Sequence, residues 1–118
     1  MRYTGNDHQA QATSYSRTAS AATRDAVRQA HKAQEWYLAA AQQRRLAALL
    51  TQRGPASWYP EAGYTPAEIE SVARTYERIA DGHLRRSFSQ TRNAGFYRKL
   101  AASYRDMHAR QRARLAEV

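Results

Sequence analysis

The stretch TASAATRDAVRQAHKAQEWYLAAAQQRRLAALLTQ, residues 18–52, carries the strongest structural signal in this chain of 118 residues. It is dense in Ala, Arg, Gln and Leu, which favour α-helix, and it contains neither Gly nor Pro until Gly54 and Pro55 end the pattern. The stretch therefore predicts one long helix. Its apolar stripe at helical spacing consists of Val27, Ala30, Ala33, Tyr37, Ala40, Ala41 and Ala48.

The clearest helix start in the chain is the tetrapeptide Thr65-Pro66-Ala67-Glu68. Thr caps a helix, Pro fits the first helical position, and Glu three residues after the cap completes a capping box. A second helix is expected from here through Phe88, and Asn93-Ala94-Gly95 predicts a break before a third helix that reaches almost to Val118. The apolar positions of these two helices include Ile69, Val72, Ala73, Tyr76, Ile79, Ala80, Leu84, Phe88, Phe96, Tyr97, Leu100, Tyr104, Met107 and Leu115.

These patterns predict an all-α fold, a small bundle of about three long helices. Residues 1–18 are rich in Gln, Ser, Thr, Asn and Gly and predict a flexible polar arm. Residues 19–118 then form a single helical-bundle domain, which suits a chain of this length. Much of the 42% hydrophobic content is alanine, so we expect a thin, closely packed core.

Aromatic and apolar residues outside the stripes indicate additional contacts. Trp36, Leu46 and Leu50 lie off the stripe of the first helix and predict a protein interface. Trp58 and Tyr59, in the loop after that helix, either cover the end of the core or stack on nucleic-acid bases.

Several function classes are excluded by what the sequence lacks. It has no cysteine and no run of about 18 apolar residues, so we expect a cytoplasmic protein without disulfides or a membrane span. It contains no nucleophile elbow, P-loop, GxGxxG turn or HExxH pair, and among its four histidines only His31 has an acidic neighbour at helical spacing, Glu35. We therefore expect a protein that is not an enzyme and uses no metal, cofactor or small-molecule substrate.

Positive charge is concentrated in the last third of the chain. Lys and Arg number 19 against 10 acidic residues, for a net charge of +9. Residues 1–82 carry 10 basic and 8 acidic side chains, a net of +2, whereas residues 83–118 carry 9 and 2, a net of +7. Such an excess is typical of proteins that bind polyanions, although a solvated helix face has the same appearance.

Three arginines, Arg98, Arg105 and Arg112, lie within about 40° of one another on the last predicted helix, opposite its apolar stripe. We interpret them as a row that contacts phosphates, because no carboxylate at i+4 neutralises each guanidinium. The row is widened by Arg85, Arg86, Arg92 and Lys99, and a second line on the first helix consists of Arg24, Arg28 and Lys32.

In size, helical content and one-sided basicity the chain resembles the small helical subunits of multisubunit CRISPR effector ribonucleoproteins. The stretches RRSFSQTR, residues 85–92, and FYRKLAASYR, residues 96–105, share the basic, helical character of those subunits. The resemblance implies a role in antiviral defence, with contacts to RNA or a target DNA strand, to other protein subunits and to further copies of the chain.

The sequence thus predicts a non-catalytic subunit that holds the phosphate backbone of RNA or single-stranded DNA without reading its sequence. The alternative is an adaptor or inhibitor of the phage or plasmid type, whose arginines meet an acidic protein surface. Binding to nucleic acid should weaken more steeply with salt than binding to an acidic protein.

Overall fold

A computed structural model of the protein describes residues 5–58 and 63–117. Within these ranges it contains a long helix α1 (Gly5–Arg53), a short 3₁₀ turn (Pro55–Ser57) and a second long helix α2 (Pro66–Ala116). The predicted all-α class is confirmed. The predicted number of about three helices is corrected to two, because the second and third predicted helices form one continuous α2.

The ends of both helices follow from local chemistry. Gly54 has a φ of 90°, a conformation that favours glycine, and its N–H donates to the carbonyl oxygen of Leu50 at 3.0 Å. At the start of α2, the backbone N–H of Glu68 donates to Thr65 Oγ1 at 3.2 Å, and the Thr65 hydroxyl donates to the Glu68 carboxylate. The predicted helix start with Thr65 as N-cap is therefore confirmed, and the Glu68 side chain contacts the Thr65 hydroxyl.

Two sequence predictions about helix continuity are corrected by tertiary packing. Asn93-Ala94-Gly95 lies inside α2, because Ala94 is buried and holds the chain against its neighbour. At the other end of the chain, α1 begins at Gly5, so residues 5–18 are helical where the sequence predicts a flexible arm. Burial of Ala12 and Ala19 stabilises this segment beyond its weak local preference for helix.

The chain divides into two compact units. Unit 1 consists of the described parts of Met1–Val27 and Ser87–Val118, and unit 2 consists of the described parts of Arg28–Arg86. In each unit a segment of α1 packs antiparallel to a segment of α2. In unit 1, for example, Ser16 contacts Arg105, whereas Thr23, later in α1, contacts Arg98, earlier in α2.

A row of small residues at seven-residue intervals forms the seam between the helices of each unit. A heptad interval keeps one narrow face of a helix against its neighbour, and small side chains allow the backbones to approach closely. One such contact is the hydrogen bond from Ser87 Oγ to the carbonyl oxygen of Ala26, 2.8 Å long. The buried row consists of Ala12, Ala19, Ala26, Ala33, Ala40 and Ala47 on α1 and of Ala73, Ala80, Ser87, Ala94 and Ala101 on α2.

This seam differs from the apolar stripes predicted at helical spacing. Ala33 and Ala40 are buried as expected, but Val27 is 53% exposed, and Ala30, Ala41 and Ala48 are exposed as well. On α2 the predicted apolar positions that are instead exposed are Val72, Ile79, Phe88, Phe96, Met107 and Leu115. The predicted stripes follow a spacing of three and four residues, whereas the buried face follows the small residues that recur every seven residues.

Larger side chains pack along one edge of the seam. In unit 1, Tyr15 stacks against both Tyr97 and Tyr104, with ring centroids 5.9 and 5.6 Å apart. In unit 2, Trp36 packs on Tyr76 with ring centroids 5.1 Å apart. Because a buried alanine methyl contributes only about 0.8 kcal/mol, against about 1.5–3 kcal/mol for a large apolar side chain, these contacts supplement a seam made mostly of alanine.

Candidate anion-binding surface

The two units differ in charge. The sequence of unit 1 carries 10 basic and 4 acidic side chains, a net charge of +6, whereas that of unit 2 carries 9 basic and 6 acidic side chains, a net charge of +3. Unit 1 therefore holds two thirds of the positive excess of the whole chain.

Two arginines of α2 in unit 1 are held in place by hydroxyl groups of α1. Arg98 Nη2 donates a hydrogen bond of 2.6 Å to Thr23 Oγ1, and Arg105 Nη2 donates to Ser16 Oγ. Thr23 in turn donates to the carbonyl oxygen of Ala19 at 3.0 Å, which orients its hydroxyl. Each hydroxyl positions a guanidinium without neutralising it, so both arginines keep their full charge at an exposed surface.

The heptad spacing of α2 places Arg98 and Arg105 where they can reach the hydroxyls of α1. Arg98 and Arg105 each follow a buried alanine, Ala94 or Ala101, by four residues, so both lie at the same edge of the seam. Arg112 lies one further heptad along α2 and is also exposed. Arg98, Arg105 and Arg112 thus form a row along one edge of α2, as the sequence predicts. The row lies beside the seam, however, and not on the opposite side of the helix from it.

Around Arg105 the surface of unit 1 forms an open depression of about 410 Å³. Three guanidinium groups and three hydroxyls line it, and its lining includes no carboxylate. Both kinds of group donate hydrogen bonds to phosphate oxygens, and the arginines add charge. We call this the arginine–hydroxyl surface; it consists of Thr13, Ser16, Arg17, Ser20, Arg24 and Arg105.

The five residues that α1 contributes to this surface come from one face of the helix. Thr13, Ser16 or Arg17, Ser20 and Arg24 recur at intervals of three or four residues, which places them side by side. The sequence predicts Arg24 as a binding residue but not the other four. Three of these, Thr13, Ser16 and Arg17, lie in residues 1–18, whose composition predicts a flexible arm. The alanine heptad that passes through Ala12 and Ala19 is the signal that could have identified this segment as helix.

All ten basic residues predicted to bind nucleic acid are exposed. The structure brings Arg24 and Arg105 together at the arginine–hydroxyl surface, with Arg98 one heptad from Arg105. The predicted basic residues of unit 1 are Arg24, Arg92, Arg98, Lys99, Arg105 and Arg112, and those of unit 2 are Arg28, Lys32, Arg85 and Arg86.

The predicted stacking and interface residues have different environments. Trp58 is half-buried, packs on the cluster of Ala47, Leu50 and Ile69, and donates from its indole N–H to the carbonyl oxygen of Leu50 at 2.9 Å. Trp58 therefore covers the end of the core, which is one of the two roles that the sequence predicts for it. Tyr59 lies outside the described residues.

The three residues predicted to form a protein interface do not share one exposed surface. Leu50 is only 4% exposed and belongs to the core of unit 2, which corrects its assignment to a surface contact. Trp36 is half-buried against Tyr76. Leu46 is 42% exposed and available at the surface.

In unit 2, arginine and tyrosine side chains at the seam face carboxylates. Arg44 forms salt bridges with Glu70, at 3.5 Å, and with Glu77. Tyr37 donates a hydrogen bond to Asp81. That hydrogen bond, together with desolvation and the charge of Asp81, raises the pKa of Tyr37 above its ordinary value.

Among the described residues, no group of three or more His, Cys, Asp or Glu side chains is arranged to hold a metal ion. Neither described helix includes a segment apolar enough to cross a lipid bilayer. Comparison of the chain with models of known protein families, with curated protein sequences and with solved structures finds no match.

Proposed function

We propose that unit 1 binds the phosphate backbone of RNA or single-stranded DNA through the arginine–hydroxyl surface, and that the protein acts as a non-catalytic nucleic-acid-binding subunit. The observation that carries the proposal is the composition of this surface: three guanidinium groups and three hydroxyls with no carboxylate in its lining. Such a set of donors matches the acceptor oxygens of phosphate.

The hydrogen bonds of Arg105, within the surface, and of Arg98, one heptad before it, support binding in two ways. Because Ser16 and Thr23 already hold Arg105 and Arg98, part of the side-chain entropy that binding would cost is lost on folding. Because the hydroxyls are neutral, the arginines still release counterions from a phosphate chain when they bind it. Contacts of this kind recognise the backbone and carry little information about base sequence.

The wider setting of the protein is also a proposal. In size, helical content and one-sided basicity the chain resembles the small subunits of CRISPR effector ribonucleoproteins, and we propose that it acts in such a complex, in which other subunits would supply sequence recognition. The alternative function is an adaptor or inhibitor whose arginines meet an acidic protein surface and whose Trp36, Leu46 and Leu50 add a hydrophobic contact. It has less support, because Leu50 is buried and Trp36 packs on Tyr76.

The proposal is tested by removing two guanidinium groups from the surface, with Arg17→Ala and Arg105→Ala together. We expect affinity for a fluorescently labelled single-stranded RNA or DNA to fall about tenfold or more, whatever the base sequence. The slope of log K against log salt should fall by about 0.7–0.9 for each phosphate contact removed. Fluorescence anisotropy over a salt series measures both quantities.

A matched control removes two exposed arginines from unit 2, with Arg45→Ala and Arg78→Ala. It changes the net charge by the same amount, so a general effect of charge would lower affinity equally in both variants. Equal losses, or a wild-type protein that binds no nucleic acid at low salt, would end the proposal. A shallow salt slope together with binding to an acidic protein would favour the adaptor instead.

A further inference from the structure

An exposed aromatic side chain of unit 1, Phe88, has no part in the proposed function as stated above. It directly follows Ser87, which is buried at the seam and donates a hydrogen bond of 2.8 Å to the carbonyl oxygen of Ala26. Successive residues of a helix point about 100° apart, so the anchored Ser87 turns Phe88 away from the seam. Phe88 is accordingly 59% exposed.

Phe88 lies on the same side of the seam as the row of Arg98, Arg105 and Arg112. A residue one position after a seam residue is turned about 100° from the seam, and a residue four positions after it is turned about 40° in the same sense. Phe88 stands in the first relation to Ser87, and Arg98 stands in the second relation to Ala94, one heptad later. The ring and the arginines therefore share one side of α2.

Cations flank Phe88 on both sides of this part of the helix. Arg92 and Lys99 each follow a seam residue by five positions, about 140° from the seam, so the direction of Phe88 falls between them and Arg98. All three cationic side chains are exposed. Residues 87–105 of α2 include no acidic side chain, so the surface around Phe88 is uniformly positive.

We propose that Phe88 stacks on a base of the strand whose phosphates bind the arginine–hydroxyl surface, an inference that rests on the proposed function. A single exposed apolar side chain is ordinary on a protein surface, but one among cations matches a ligand that carries both phosphates and flat apolar rings. Stacking accepts any base, so it adds affinity without reading sequence. Phe88 and Arg105 are about 25 Å apart along the helix, a span that one strand of several nucleotides covers.

The proposal is tested with Phe88→Ala and a fluorescently labelled single-stranded DNA of about 12 nucleotides. We expect the affinity to fall about tenfold while the slope of log K against log salt is unchanged, because a stacking contact is lost and no cation is removed. Phe88→Trp should bind at least as tightly as the wild type, and Phe88→Leu, apolar but without a ring face, should lose affinity like Phe88→Ala. Fluorescence anisotropy measures each value, and circular dichroism checks that the variants remain helical.

A second probe, an abasic strand of the same length, separates bases from phosphates. It should bind the wild type and Phe88→Ala equally, because it offers no ring for Phe88 to stack on. An equal loss of affinity on the abasic strand would assign Phe88 a structural role and overturn the proposal. Wild-type affinity of Phe88→Ala or of Phe88→Leu for the complete strand would overturn it as well.

Phe96→Ala is the matched control, because Phe96 is also 59% exposed. It follows the seam residue Ala94 by two positions and is therefore turned about 200° from the seam, away from Arg98, although Arg92 and Lys99 lie near it. Its ring packs edge-on against Tyr97, with centroids 5.6 Å apart. Phe96→Ala should bind like the wild type, and a loss equal to that of Phe88→Ala would contradict the assignment.

Failure of this inference is distinguishable from failure of the proposed function. A wild-type protein that binds neither the complete nor the abasic strand at low salt would end both. Binding that depends on Arg17 and Arg105 but is the same with and without the Phe88 ring would overturn the stacking contact alone.

Discussion

Arg44 in unit 2 and Arg105 in unit 1 occupy the same position relative to the seam, yet their partners differ. Each follows a buried alanine, Ala40 or Ala101, by four residues. Arg44 meets the carboxylates of Glu70 and Glu77, whereas Arg105 meets the hydroxyl of Ser16. One heptad framework therefore holds a neutralised arginine in one unit and a fully charged arginine in the other.

This difference separates two uses of the same side chain. A guanidinium paired with carboxylates ties two helices together, but its charge is no longer available to a ligand. A guanidinium paired with a hydroxyl is positioned almost as well and remains cationic. The excess charge of unit 1 is thus a consequence of the residues that α1 places opposite the arginines of α2.

The largest change in nucleic-acid affinity is expected when the arginines of unit 1 are paired with carboxylates, as Arg44 is in unit 2. Replacing Ser16 and Thr23 by Glu places a carboxylate opposite Arg105 and Arg98. Affinity for single-stranded RNA or DNA should fall about 100-fold at moderate salt, because two arginines are neutralised and two negative charges are added near the phosphates. Fluorescence anisotropy measures the change.

A control for this variant adds the same charge elsewhere on α1 of unit 1, with Gln11→Glu and Thr18→Glu, both at exposed positions outside the arginine–hydroxyl surface. Its affinity should change much less. If both double variants lose affinity equally, the hydroxyl pairing of Arg98 and Arg105 has no special part in binding.

A smaller effect is expected from the converse change in unit 2, Glu70→Gln together with Glu77→Gln. The salt bridges of Arg44 are partly exposed, with about 40% of the Arg44 side chain accessible, so their loss should cost only about 1 kcal/mol or less. Chemical denaturation measures this loss. Affinity for nucleic acid should rise by less than tenfold, because Arg44 lies in unit 2, outside the arginine–hydroxyl surface, although the net charge of the chain rises by two. A gain as large as the loss in the Ser16 and Thr23 variant would show that total charge, not its placement in unit 1, controls binding.

The smallest effect concerns the other cross-helix pair of unit 2, Tyr37 with Asp81. Because the pKa of Tyr37 is raised in the folded protein, the stabilisation from this hydrogen bond is present below the ordinary tyrosine pKa of about 10 and is lost as pH rises through the higher folded value. In Tyr37→Phe the melting temperature should therefore fall slightly at pH 7, and the difference from wild type should shrink at strongly alkaline pH. Difference absorbance at 295 nm should show one late-titrating phenol disappear; its persistence would contradict the pairing.

The sequence predicted some features of the fold because they depend on neighbouring residues. The N-cap at Thr65 and the helix end at Gly54 are formed by residues within four positions of one another, so their chemistry can be read locally. The continuity of α2 through Gly95 and of α1 through residues 5–18 was missed. Both depend on burial of alanines against the other helix, which weighs more than local preference.

For the candidate site, the sequence by itself determined that the chain is helical and that its last third has a large excess of arginine. Only the tertiary structure decided which arginines stay charged, because that depends on what lies across the seam. Ser16 and Arg105 are 89 residues apart in the chain, and they meet because the alanine heptads set the register of α1 against α2. Register is a property of two packed helices together, and no local pattern in either helix contains it.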